Sequence, residues 1–185
     1  MTSSYMIQPA SAMRQHIEMA PESGGVYALL LDTPDALEEA LARASLKLDT
    51  VRLGSRPILY LGATEDSLRR RLKCHLSTDT CRSTFRMSLG ALLAEELRLE
   101  ARPIDGVSYF GFSPDSEHRL NAWIDAHVTV ALRPASNALA EERVLIGSHD
   151  PLLNIAGRRL RPSAEAILVL RDRMRGLPFD RASLQ

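Results

Sequence analysis

The chain has 185 residues, which is the length of one domain with modest additions. Hydrophobic residues make up 45% of it and charged residues 25%, as in ordinary soluble globular proteins, and no run approaches the roughly 18 apolar residues of a membrane span. The formal net charge is zero, which excludes a global field that attracts nucleic acid. The N-terminal residues lack the basic and then apolar pattern of a signal peptide, so we expect a cytoplasmic protein.

The first half of the chain predicts two apolar strands separated by a helix. A proline in the first turn of that helix and a glycine at the end of the second strand are typical boundary signals. In chain order the predicted elements are an irregular segment (1–22), a strand (25–31), a helix (33–48), a strand (56–62) and a helix (64–76).

The second half is mostly helical. Helix starts are indicated by serine or aspartate caps, and apolar residues recur at helical spacing. The predicted elements are a helix (83–99), a strand (107–112), a helix (113–127), a short β-branched run (128–132) and two helices (136–147 and 163–175). Short strands among many helices, without regular strand–helix alternation, indicate an α+β fold.

Glu142 lies on the apolar side of its predicted helix. It follows Leu139 by three residues and precedes Ile146 by four, and such residues share a helix face. Carboxylates are almost never buried without a partner. Two interpretations stay open: Glu142 pairs with an arginine such as Arg143 on a shallow helix, or it lies on a groove floor as a metal ligand.

Four further polar residues stand beside apolar ones. Arg71 and His75 are four residues apart and therefore share a helix face, although LRRRLK also fits a solvated basic face. Asn154 follows a helix in DPLLN, where a turn residue is the plain interpretation. Tyr27 stands in an apolar strand, where a tyrosine is common.

The carboxylate, guanidinium, imidazole and phenol groups of these residues together suit phosphodiester hydrolysis. A carboxylate can hold a hard divalent cation that completes its shell with water and phosphate. A guanidinium can neutralise charge on the phosphate in flight, and a phenol or an imidazole can relay the proton of the attacking water.

These residues also give the sequence its resemblance to the GIY-YIG nuclease superfamily. They occur in the family's order, and the likeness runs from about residue 24 to residue 157. The matching pieces are GVY (25–27), YLG (60–62), Arg71, His75, Glu142 at the start of ERVLI, and Asn154 at the end of PLLN.

The resemblance implies a small antiparallel sheet of about three strands flanked by helices. Helix 33–48 would be an insertion between the first two strands, which lie further apart than in many members. The implied organisation is an irregular N-terminal segment (1–22), a GIY-YIG-like nuclease domain (23–160) and a helical C-terminal extension (161–185).

The resemblance further implies a metal-dependent endonuclease that hydrolyses phosphodiester bonds in DNA. One divalent cation, Mg²⁺ or Mn²⁺, would be held by Glu142. Tyr27 or Tyr60 would accept the proton of the attacking water, with His75 beside them. A DNA partner and no membrane partner are expected, and a homo-oligomer is compatible with the sequence.

The arginine of the site has two candidates. Arg71 would stabilise the pentavalent phosphate, but it lies one residue further from Gly62 than in many members, so Arg70 is the alternative. Asn154 would organise the site rather than take part in the chemistry. The residues expected to contact the substrate are Gly25, Gly62, Arg69, Arg70 and Lys73.

Two other functions stay open. A catalytically inactive GIY-YIG-like module that binds nucleic acid or protein would suit the net charge of zero. Residues 52–98 nevertheless carry nine lysines and arginines against five acids, which allows a local basic face. A nucleotide-cofactor strand at GGVYALLLD lacks the glycine-rich turn before a helix that such a site needs.

Overall fold

The computed structural model describes residues 4–48, 51–104, 109–155 and 161–176. Within these ranges the chain forms seven α-helices, a five-stranded sheet and a two-stranded sheet. In chain order the elements are β1 (Met6–Pro9), α1 (Ala10–Gln15), β2 (Gly25–Leu31), α2 (Glu38–Arg43), β3 (Arg52–Leu53), β4 (Arg56–Thr64), α3 (Leu68–His75), α4 (Thr84–Leu92), β5 (Ala101–Pro103), β6 (Phe110–Phe112), α5 (Pro114–His127), β7 (Val128–Pro134), α6 (Ala138–His149) and α7 (Pro162–Met174).

Strand β2 lies at the centre of the larger sheet. The strand order is β1-β7-β2-β4-β3, and every pair in it is antiparallel. All seven residues of β2 are buried, because the strand has a neighbour on each side and a hydrophobic core on each face. This explains why its sequence is apolar throughout rather than alternating.

Successive side chains of β2 point to opposite faces of the sheet. Tyr27, Leu29 and Leu31 enter the large core, whereas Ala28 and Leu30 belong to a smaller cluster that helix α6 covers. Tyr27 is therefore on the face against which most of the helices pack.

Helix α4 is the most deeply buried helix. Its residues from Phe85 to Leu92 are all buried, and the C-terminal helix α7 packs along it. Helix α1 packs on α5. In the described part of the chain, no helix combines the length and the apolar character needed to cross a membrane.

The α+β class is confirmed, but the expected sheet of about three strands is wrong. The central strands β7, β2 and β4 match that expectation, and the structure adds β1 and the two-residue β3 at the edges. Both additions are short and at most half-buried, so they leave little periodic signal in the sequence.

The N-terminal segment is not irregular as predicted, because β1 and α1 occupy residues 6–15. Ala10 and Met13 of α1 are fully buried, so this segment is part of the core. Its six-residue helix has no acidic residue in the first turn and no side-chain cap, which explains why the sequence gives no helix-start signal.

The insertion between β2 and β4 is helical, but it is shorter than the predicted span 33–48. A 3₁₀ turn at Pro34–Leu37 precedes α2, and Ser45 with a φ of 53° follows it. A non-glycine residue in this left-handed region ends the helix. Part of the predicted strand at 107–112 and the end of the predicted C-terminal extension lie outside the described residues.

Candidate active site

Tyr27 is at the centre of the site, and its side chain is only 1% exposed. Its hydroxyl oxygen lies 3.1 Å from Nε of Arg71, which donates to it, and 2.7 Å from Nε2 of His75. Gly62 faces Tyr27 across the β2–β4 ladder. A Cβ atom at Gly62 would come within 2.2 Å of the Tyr27 hydroxyl, so a glycine is needed there to make room for the phenol.

Helix α3 brings Arg71 and His75 together. It begins at Ser67, whose side chain accepts a hydrogen bond from the backbone N–H of Arg70. One helical turn separates Arg71 from His75, and both reach the same phenol. The predicted shared face is therefore confirmed, and the Tyr27 hydroxyl is the atom at which the two side chains meet.

Arg70, the alternative to Arg71, lies on the outer side of α3. Its guanidinium is exposed and donates to the carboxylate of Asp66. Lys73 is exposed as well. The structure therefore brings Arg71, and not Arg70, to the tyrosine.

Arg69 is tied to the N-terminal segment. Its Nε donates to the carbonyl of Ala20 at 2.9 Å, and its terminal nitrogens donate to Glu22 and to the carbonyl of Glu18. These contacts give Arg69 a structural role.

Gly25 is also closely packed, because a Cβ there would lie 2.3 Å from the carbonyl oxygen of Arg133. Substrate contacts by the five residues predicted to bind substrate stay predictions.

Ser83 and Thr84, at the start of α4, contact the candidate site residues, and the sequence did not single them out. Ser83 Oγ lies 2.7 Å from Nδ1 of His75, and it accepts the backbone N–H of Arg86 as the helix cap. Thr84 Oγ1 lies 2.9 Å from the hydroxyl of Tyr60. The pair ST before a helix signals a cap, but nothing in that pattern reveals which side chains it contacts.

A buried ion pair fixes this start of α4. Arg86 is fully buried, and its guanidinium donates to Glu117, Asn121 and the hydroxyl of Thr80. Glu117 also accepts from the backbone and the hydroxyl of Thr80. These bonds hold the segment that precedes α4 against α5, and with it Ser83 and Thr84.

Tyr60 completes an aromatic cluster on the same face of the sheet. Its ring centroid is 6.4 Å from that of Tyr27 and 5.6 Å from that of His75. The two phenols have different partners, because Tyr60 bonds to the exposed Thr84, whereas Tyr27 bonds to the buried His75 and the partly buried Arg71. Two hydroxyls in unlike surroundings thus occupy one site.

Asn154 is buried and holds strand β4. Its Oδ1 accepts the backbone N–H of Leu61 at 2.8 Å, and its Nδ2 donates to the carbonyl of Leu61 at 2.8 Å. The amide thus pairs with Leu61 as a neighbouring strand would. This contact fits the expectation that Asn154 organises the site.

Glu142 is half-buried on α6, near the end of β4. Burial raises the pKa of its carboxyl, while a backbone hydrogen bond from Ala63 and the charges of Arg71 and Arg143 oppose the rise. The carboxylate has no ion-pair partner among the described residues, although both arginines act on it electrostatically. Helix α6 packs on β4, and the charge of Glu142 also acts on Tyr27.

Tyr27 and His75 form a neutral pair at rest. Burial and the neighbouring Tyr60 raise the pKa of Tyr27 far above its usual value, although Arg71 opposes this. Burial and the charges of Arg71 and Arg86 lower the pKa of His75. A protonated phenol therefore lies at hydrogen-bond distance from a neutral imidazole.

The donors of this site fit a hard divalent cation better than a structural zinc ion. Within the described ranges, no three residues of the types His, Cys, Asp and Glu converge on one point. A single carboxylate suits Mg²⁺ or Mn²⁺, because these ions keep several waters and share the oxygens of a phosphate. Glu142 is the residue that would hold such an ion.

The chain belongs to the GIY-YIG nuclease superfamily. The family model described as the GIY-YIG catalytic domain matches residues 25–174, from the first residue of β2 to the last of α7. No curated protein and no solved structure matches the chain. The family match includes α7, which lies beyond the domain end predicted at residue 160.

Proposed function

We propose that this protein is a metal-dependent endonuclease that hydrolyses phosphodiester bonds in DNA. One observation carries the proposal: the guanidinium of Arg71 and the imidazole of His75 meet at the hydroxyl of Tyr27. The half-buried carboxylate of Glu142 interacts electrostatically with both Tyr27 and Arg71. A guanidinium can stabilise the charge on a phosphate, a phenol can relay a proton, and a carboxylate can hold a divalent cation, so the three groups together suit phosphoryl transfer to water.

Arg71 provides fixed positive charge. Its side chain is only partly buried, and its Nε already bonds to Tyr27. The other nitrogens of the guanidinium are available for the oxygens of a phosphate, and this planar group can contact two of them at once. Arg71 would therefore stabilise the negative charge that develops on the pentavalent phosphorus.

Tyr27 and His75 move the proton of the attacking water. As the water oxygen forms its bond to phosphorus, the Tyr27 hydroxyl oxygen accepts the water proton and gives its own proton to Nε2 of His75. The P–O bond to the leaving oxygen then breaks. Ser83 keeps Nδ1 of His75 hydrogen-bonded while Nε2 acts as the acceptor.

Glu142 would hold the divalent cation, Mg²⁺ or Mn²⁺. When bound, such an ion polarises the phosphate and stabilises the leaving oxygen. Only a deprotonated carboxylate binds it well, and the Ala63 amide together with the charge of Arg71 favours that form. Tyr60 is the second candidate for the proton acceptor, and Asn154 holds the strand that carries it.

The test is cleavage of plasmid, branched and single-stranded DNA with Mg²⁺, with Mn²⁺ and with a chelator. We expect cleavage of at least one form with metal and none with chelator. Glu142→Gln should abolish most of this cleavage. Glu141→Gln is a matched control, because Glu141 lies next to Glu142 on α6 and pairs with Arg133 of β7. Absence of metal-dependent cleavage of every form would contradict the proposal.

A catalytically inactive GIY-YIG-like module that binds nucleic acid or protein is the second candidate. The net charge of zero favours it, since nucleases usually hold the DNA backbone through many cationic contacts. DNA binding without turnover, unchanged by Glu142→Gln, would support this candidate.

A further inference from the structure

Most arginines that are buried or partly buried in the described part of the chain have a carboxylate partner. Of the described residues, those with such a partner are Arg14, Arg56, Arg69, Arg86, Arg133 and Arg175. The described, at least partly buried arginines without an ion pair are Arg71 and Arg171. Arg71 is the arginine of the proposed active site, so Arg171 calls for an equivalent explanation.

Arg171 is poorly satisfied where it lies. It projects from α7, and Nη2 donates to the sulfur of Met87 on α4 at 3.4 Å. A thioether is a weak acceptor, and a guanidinium has five N–H donors to satisfy. Burial and the nearby charge of Arg175 lower the pKa of Arg171 to about 10. A cation held under these conditions is costly for the fold unless an anion binds there.

The position of Arg171 connects it to the active site. Met87 is three residues after Thr84 and thus on the same side of α4, and Thr84 bonds to the hydroxyl of Tyr60. The charge of Arg171 also interacts with the phenol of Tyr60. The charge of Arg171 thus acts on Tyr60, while Tyr27 beside Tyr60 contacts Arg71.

An exposed aromatic ring lies near the helix that carries this arginine. Tyr109 is 47% exposed and directly precedes β6, whose partner strand β5 contacts α7. The phenol of Tyr109 also interacts electrostatically with Arg171. A guanidinium beside an exposed aromatic ring is the arrangement that proteins use for single-stranded nucleic acid. The arginine contacts a phosphate, and the ring stacks on an unpaired base.

We infer that Arg171 and Tyr109 form a strand-binding subsite, in which Arg171 binds a backbone phosphate next to the scissile one and Tyr109 stacks on an unpaired base. The inference rests on the proposed function for the location of the scissile phosphate. It specifies the substrate further, since a stacking platform favours a single strand or an unpaired end over a continuous duplex.

The experiment measures binding without cleavage. Fluorescence anisotropy with a labelled 15-nucleotide single strand and the matching duplex is recorded in chelator at several salt concentrations. Arg171→Gln should weaken single-strand binding by about tenfold or more, since it removes a charge-assisted phosphate contact. The slope of log affinity against log salt should fall by about 0.7. Arg173→Gln is the matched control, because Arg173 is exposed on the same helix, and it should change affinity less than about threefold.

Tyr109→Ala tests the base contact independently. It should weaken single-strand binding by about tenfold and duplex binding clearly less. Thermal melts show whether each variant is folded. If Arg171→Gln does not fold, Arg171→Lys replaces it. Arg171→Lys should keep the salt slope of the wild-type protein and lose part of its affinity for the single strand. An Arg171 variant that binds single strands as tightly as Arg173→Gln would overturn the inference. An equal loss on duplex and single strand with Tyr109→Ala would also overturn it. Because chelator is present, these results do not depend on whether the protein cleaves DNA.

Discussion

The Nε atom of Arg71 donates to the hydroxyl of Tyr27 at 3.1 Å, whereas the guanidinium of Arg70 turns outward to Asp66. Two adjacent residues of one helix therefore have opposite environments. This relationship favours Arg71 over Arg70 as the arginine of the site, a choice that the sequence left open. Substituting each of the two arginines in turn therefore tests the assignment within a single helix.

The first prediction compares these two arginines. Arg71→Ala should lower the cleavage rate by about 10²-fold or more, since it removes a fixed electrostatic donor from the phosphate. Arg70→Ala should cost less than about tenfold and act through DNA binding, because an exposed charge contributes mainly to association. Single-turnover cleavage measures both variants. If Arg70→Ala is the more damaging change, the assignment of Arg71 is wrong.

The second prediction concerns Glu142. Glu142→Gln keeps the size of the side chain and removes the charge that would hold the cation. We expect the rate to fall by at least about 100-fold, or about 2.7 kcal/mol of barrier, with DNA affinity largely retained. Titration of Mg²⁺ and Mn²⁺ against rate should show a higher metal requirement in the variant. Near-normal cleavage by the variant at low metal concentration would show that Glu142 is not the metal ligand.

The third prediction concerns the stability contribution of His75. Burial and the charges of Arg71 and Arg86 lower the pKa of His75 in the folded protein. In the unfolded chain a histidine titrates near pH 6.5, so the unfolded state binds more protons below that pH. The contribution of His75 to stability is therefore complete above about pH 6.5 and is lost as the pH falls toward the lowered folded value, by up to about 1.4 kcal/mol per pH unit.

Denaturant unfolding at pH 8 and pH 5.5 measures this effect. The wild-type protein should lose more stability between these two conditions than His75→Gln, whose side chain does not titrate. Equal losses in the two proteins would show that His75 is not held neutral by burial.

The fourth prediction concerns Asn154. Both groups of its amide bond to the backbone of Leu61, and the side chain is buried. Asn154→Ala leaves a buried N–H and a buried C=O without their partner, at roughly 1–3 kcal/mol for each. Thermal unfolding should show the loss. Asn137→Ala is the control, because Asn137 is exposed and its side chain makes no capping bond.

The sequence predicts the elements of this fold that have a strong local signal. Strand β2 and helix α5 appear where apolar periodicity and helix-start residues predict them, and helix α3 lies within the predicted span 64–76 but begins only at Leu68. The convergence of Arg71 and His75 also follows from sequence, since four residues make one helical turn. Strand β1 does not, because it is four residues long and its outer face is exposed, so tertiary pairing with β7 decides it.

Contacts between distant segments account for the rest of what sequence could not predict. Ser83 and Thr84 read as a helix cap, and only the packing of α4 against the sheet brings them to His75 and Tyr60. Arg171 reads as one of several basic residues on α7. Its lack of a carboxylate partner is visible only when the surrounding elements are assembled.

The last prediction separates the two phenols by their surroundings. Tyr27→Phe removes a buried hydroxyl that bonds to Arg71 and His75, so it should cost roughly 1–3 kcal/mol of stability. Tyr60→Phe removes a bond to the exposed Thr84 and should cost about 1 kcal/mol or less. Tyr27→Phe should also lose more cleavage rate than Tyr60→Phe, and this difference should exceed the difference in stability. A proton-relaying hydroxyl contributes about 10²- to 10⁴-fold to the rate, and the Tyr27 hydroxyl is the one at hydrogen-bond distance from His75.

Single-turnover cleavage by both variants at saturating metal, with thermal melts alongside, tests this order. Each melt shows whether the variant is folded at the assay temperature, so a lost rate can be assigned to the hydroxyl rather than to unfolding. If Tyr60→Phe cleaves more slowly than Tyr27→Phe, Tyr60 is the proton acceptor, and the exposed Thr84 is its hydrogen-bond partner. Full activity of both folded variants would exclude both phenols, and His75 would then have to take the proton from water directly.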